Sequence, residues 1–191
     1  LRRGINANFR LGSVENAVRV ARYAVREDQP KAMRLEALDA LRDWVEPPLL
    51  DRVDGRRRDL GRRESKPIAT AIAEEISQLV VSGDNALIEK AVELSTRIDI
   101  QLDGRALFNL LENEKAPNSL RVVAVNNLKT TKAVHYALKS RVPELRIAGA
   151  QLLAKTDKEQ AVTYLAEKLD KLKGIPERQA AFATLALIGS K

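Results

Sequence analysis

Cysteine is absent from the 191 residues, which excludes disulfides, thiolate metal ligands and covalent haem attachment within this stretch. Aromatic residues are scarce: one Trp, three Tyr and three Phe. The core must therefore be built from Ala, Leu, Val and Ile, a composition that suits closely spaced helices. His135 is the only histidine, so no second imidazole stands by to complete a metal site or a relay, and it reads as an ordinary helix residue. No run of 18 apolar residues occurs, so no segment reads as a membrane-spanning helix, and the first residues hold no apolar signal core. Alternation of period two is never sustained, which argues against a sheet. The glycine-containing stretches "LGSVEN" and "LKGIPE" lack the spacing of a phosphate-cradling loop, so no nucleotide or other cofactor is expected.

What is present is an apolar fraction of 45%, enough for a continuous core, and a formal net charge of +7. A basic balance favours association with anionic surfaces or nucleic acid but says nothing of fold. Four segments begin alike: "PKAMRLEALDAL" (30–41), "PNSLRVVAVNNL" (117–128), "PELRIAGAQLL" (143–153) and "PERQAAFATL" (176–185). Each carries an arginine shortly after the proline (Arg34, Arg121, Arg146, Arg178), then a small residue three positions on (Ala37, Ala124, Gly149, Ala181), then a leucine seven on. Those offsets mark one helix face. Proline is tolerated in a first helical turn, and the small residue lets a neighbouring helix come close. Residues 84–98 form a fifth, degenerate copy with Asp84 as N-cap. The recurring arginines are expected to form a ladder to carbonyls or acidic groups of adjacent repeats.

A second set of helical patterns lies between these, at 14–25, 67–80, 104–111, 132–138 and 159–169. Short links such as "NEKA" and "KSR" force antiparallel neighbours. Pairs recur about every 27 to 33 residues once one insertion is set aside, the signature of stacked helix pairs. The expected architecture is all-α, a right-handed α-α superhelix of about five helix pairs forming a single repeat domain over 1–191. Tyr23, Tyr136 and Tyr164 fall at similar places in the first helices of three pairs and are expected to pack. Glu74 and Glu75 are adjacent, point about 100° apart on a helix and cannot face each other as a catalytic pair.

Residues 46–66, "EPPLLDRVDGRRRDLGRRESK", interrupt this pattern. Pro47 and Pro48 stop the preceding helix, and Gly55 and Gly61 permit positive φ. The candidate interaction residues are its arginines Arg52, Arg56, Arg57, Arg58, Arg62 and Arg63. Set against them are Asp51, Asp54 and Asp59, which would repel phosphates and can pair with the arginines; no aromatic residue is present for base stacking. The segment reads first as a loop and second as a contact for a neighbouring domain or protein. Its removal over 50–63 is expected to leave cooperative unfolding intact.

The repeated proline and arginine opening the second helix resemble HEAT-like repeats of the short bacterial kind, also seen in phycobilisome-lyase-type repeats. That resemblance implies an armadillo-like α-solenoid and no particular activity. The wording "LRDWVEPPLLDRVDGRRRDL" (41–60) further resembles the HEAT segment of large bacterial membrane-bound, sorbosone-type sugar dehydrogenases, carried here by Trp44, Glu46, Pro47, Asp51, Arg52, Val53, Gly55 and Arg56. In that family the chemistry resides in a β-propeller and a cytochrome-c-like haem domain. The resemblance thus implies an exported or periplasmic parent protein, of which these residues are a non-catalytic segment cut from a longer chain. A rival resemblance, to HEAT-like alkylpurine DNA glycosylases, would use Asp43 and Trp44 on a basic surface; one acid and one aromatic fit that pattern poorly, and Trp44 reads as packing.

Overall fold

The computed structural model describes residues 1–82, 84–170, 172 and 174–189. Among them the chain is all-helical, with eleven α-helices and, in place of strands, one isolated bridge between Leu50 and Arg57. Ten helices stand at the expected segments, numbered here from the second: α2 Val14–Val25, α3 Lys31–Arg42, α4 Ser65–Ser82, α5 Asn85–Ile98, α6 Gly104–Glu112, α7 Asn118–Leu128, α8 Thr131–Lys139, α9 Pro143–Thr156, α10 Lys158–Leu169 and α11 Ile175–Gly189. The eleventh, α1 Arg2–Leu11, was not expected from the sequence. Helix α4 begins at Ser65, so the last two residues of the expected insertion are helical.

The chain divides into two compact units, Leu1–Ala106 and Leu107–Lys191. In the first, α2 packs on α3 and α4, α5 lies on both α3 and α4, and α1 leans on α2 and α3. The apolar spacing explains the packing. Ala17, Val20, Ala21 and Ala24 of α2, at i, i+3, i+4 and i+7, are all buried. Ile68, Ile72, Ile76 and Leu79 of α4 follow the same face. Asp84 starts α5 as anticipated, accepting from the N–H groups of Ala86 and Leu87, and Ser13 starts α2, accepting from Asn16 N–H.

In the second unit α9 is central and touches α7, α8, α10 and α11. The small residue in the repeated pattern acts as expected there: a Cβ at Gly149 would stand 2.9 Å from Ala137 Cβ and 3.2 Å from Leu138 N, so only glycine allows this approach of α8 to α9. Ala37, Ala124 and Ala181, at the equivalent positions, are buried.

Three arginines of the pattern hold their own pairs closed. Arg34 Nε donates to Ala24 O at 2.8 Å, and Arg121 Nε donates to Leu111 O at 2.9 Å, across the same ten-residue separation. Arg146 donates to Ser140 O and Arg141 O, both at 2.9 Å. The carbonyls lie at the end of the preceding helix, where no intrahelical donor remains. The contacts are therefore mainly within a pair, where a ladder between adjacent repeats was expected. Arg146 alone also reaches the next pair, through a bidentate bond to Glu177 of α11 at 2.6 and 2.7 Å, which raises the Arg146 pKa. Arg178, the fourth of the set, is exposed.

Candidate functional site

The arginine-rich segment links α3 to α4 in the first unit, and its organising residue is Asp51, whose side chain is 1% exposed. Arg10 Nε of α1 donates to Asp51 Oδ2 at 2.6 Å, Asn6 Nδ2 donates to both oxygens at 3.0 and 3.1 Å, and the N–H groups of Val53 and Asp54 donate to Oδ1 at 2.9 and 3.0 Å. The Arg10 hydrogen bond is the largest of several causes that hold this carboxyl far below the usual carboxylate range. Asp54 is also lowered, by the Arg56 N–H and then by Arg58. Around Asp51 the chain turns tightly: Gly55 N–H returns to Asp51 O at 3.0 Å and Arg58 N–H to Leu49 O at 2.7 Å, with Gly55 at φ +68° and Gly61 at φ +68°, the left-handed conformation anticipated for both.

The six candidate arginines have different surroundings. Arg52 Nη1 donates to Asp43 at 2.6 Å and Nη2 to Glu36 at 3.4 Å. Arg58 bonds Asp54 at 3.0 Å and lies 3.5 Å from Asp51. Arg63 donates to Phe9 O at 2.7 Å and Trp44 O at 3.2 Å, with its guanidinium 5.1 and 5.3 Å from the Phe9 and Trp44 ring centres. Burial lowers the Arg63 pKa below the usual arginine value. Arg56, Arg57 and Arg62 are exposed; Arg62 meets Glu46 at 3.4 Å in a solvated pair. Three arginines of the set thus close the fold, and three face outward.

Trp44 is fully buried. Its ring meets Phe9 edge-on at 5.5 Å, and its N–H donates to Gly12 O at 3.3 Å. Gly12 ends α1 at φ +73°, and a Cβ there would lie 2.5 Å from Arg63 Nε. Asp43 is taken up by Arg42 and Arg52, so neither residue of the glycosylase comparison is presented as a free site. Glu75 pairs with Arg22 across α2 and α4. Tyr136 packs edge-on to Phe108 at 5.9 Å, and burial raises the Tyr164 pKa; His135 is exposed.

No group of three or more His, Asp or Glu able to hold a metal ion occurs among the described residues, and none of their helices is long and apolar enough to cross a membrane. The terminal helix α11 buries Glu177, Ala181 and Thr184 on one face and presents Ile175 and Phe182, 69% and 57% exposed, on another. Comparison with protein-family models, with curated proteins and with solved structures gave no match.

Proposed function

We propose that this chain is a non-catalytic interaction scaffold, a HEAT-like stack of about five helix pairs winding as a right-handed superhelix and holding another protein or a neighbouring domain of its own polypeptide. The outward apolar stripe of α11 carries the reading. An aromatic and an aliphatic side chain two turns apart on one solvent face give an apolar surface that a partner can cover. The recurring arginine-to-carbonyl bonds of α3, α7 and α9 support the repeat itself, since one bonding device in three of the five expected pairs is what copies of one unit would use.

Membership in a multidomain dehydrogenase rests on the wording of residues 41–60. The side chains that carry it, Trp44, Asp51 and Arg52 among them, hold α1 and α3 together, a role that any parent protein could need. The exposed Arg56, Arg57 and Arg62 favour nucleic acid as the second reading.

A photo-crosslinking residue at Phe182, in the protein produced in its natural host, tests the proposal, with exposed Thr163 of α10 as control position. A discrete adduct from position 182 and none from 163 is expected. Absence of adducts at both, together with salt-sensitive binding of duplex DNA lost on reversing Arg56 and Arg57, would replace the scaffold by the nucleic-acid reading.

A further inference from the structure

Two hollows flank the C-terminal turn of α8 in the second unit. The larger, about 980 Å³, opens between α8 and α10 on α9, where Tyr164 O–H donates to Leu138 O at 3.5 Å. The smaller, about 550 Å³, lies on the α7 side. They share Lys139 and Ser140, so one exposed ammonium stands between them. Each is the same place in successive pairs: Arg121 and Tyr136 line the smaller, Arg146 and Tyr164 the larger. Leu138 and Leu153 give the larger an apolar floor, and Val142 contributes to the smaller. Arg121 and Arg146 are engaged by carbonyls, and Glu177 is engaged by Arg146. The exposed charges are then Lys139 in the middle, with Arg141 and Glu114 on one side and Lys168 and Glu167 on the other.

From this we infer a peptide-docking groove that takes an extended segment of the pattern apolar-x-acidic-x-apolar, a specification of partner that rests on the scaffold reading above. In an extended chain residues i, i+2 and i+4 point the same way and i to i+4 spans about 13 Å. One apolar side chain enters each hollow, and the carboxylate between them meets Lys139. The mixed rim favours a polypeptide over nucleic acid. A phosphodiester carries charge at every step and would meet a carboxylate in each hollow, whereas a peptide places its charge once.

The test selects random dodecapeptides on the whole chain from a display library and measures binding of the enriched sequences by fluorescence anisotropy. Enrichment of the stated pattern is expected, with affinity weakened about tenfold by Lys139→Glu and kept by Lys139→Arg. No enrichment, enrichment of basic sequences, or binding indifferent to Lys139→Glu overturns the groove. A twenty-nucleotide oligothymidylate whose binding alone depends on Lys139 also overturns it, assigning the hollows to nucleic acid. The Phe182 crosslink does not involve Lys139, so a scaffold that lacks this groove remains distinguishable from no scaffold.

Discussion

Replacing Asp51 by Asn keeps the shape of the side chain and removes its charge. The amide oxygen can stand at Oδ1 and still accept from the N–H groups of Val53 and Asp54, but the new NH₂ then replaces Oδ2 and faces the donors Arg10 Nε and Asn6 Nδ2, now 2.6 and 3.1 Å from that oxygen. Arg10 is 35% exposed and can rehydrate, whereas Asn6, 4% exposed, keeps only its contact to the position of Oδ1. Loss of charge-assisted bonds at a buried acceptor then costs about 2–3 kcal/mol. Trp44, the only tryptophan, reports this directly, because its ring packs on Phe9 and Arg63 beside the same segment. Urea unfolding followed by Trp fluorescence at pH 7 should show the loss. The pH dependence is fixed in sign. Asp51 titrates lower in the folded than in the unfolded chain, so its contribution is complete above the unfolded carboxylate pKa of about 4 and declines as the pH falls below it. The gap between wild type and Asp51→Asn should be constant from about pH 7 to 5 and narrow below about pH 4. A gap under about 0.5 kcal/mol at pH 7, or one unchanged down to about pH 2, would refute the keystone role.

Further outcomes follow from the same geometry. Deleting 50–63 removes Asp51 and Arg63 together and should abolish the cooperative Trp44 transition, the reverse of the outcome expected from the sequence; retention of a sharp transition would contradict it. Arg34→Met leaves the Ala24 carbonyl buried without its 2.8 Å donor and should lower stability by about 1–3 kcal/mol in urea, with no change if water replaces the guanidinium. Gly149→Ala forces α8 from α9 against Ala137 and the Leu138 backbone and should cost about 1–3 kcal/mol, read by calorimetry.

The paired helices were legible because their apolar positions repeat at helical spacing and several starts carry Pro or Asp. Helix α1 was not: "RRGINANFRL" offers only Ile5 and Phe9 to the core, with Gly4, Asn6 and Asn8 among weak helix formers. It forms because Phe9 meets Trp44 and because Asn6 and Arg10 meet Asp51, partners 35 to 45 residues away that no local pattern announces. The same distance hid the division of the arginines. Nothing in "GRRRDLGRR" separates Arg63, which reaches back to Phe9 over 54 positions, from Arg62 beside it. The hollows beside Lys139 depend on how α8 and α10 stand on α9, which is a property of packing.

The scaffold claim is tested most directly by hydrogen exchange at Ile175–Gly189, comparing the protein isolated in its native assembly with purified residues 1–191. The account predicts α11 amides slowed about tenfold or more in the assembly, with α2 unchanged. Equal rates for α11 in both samples would contradict it.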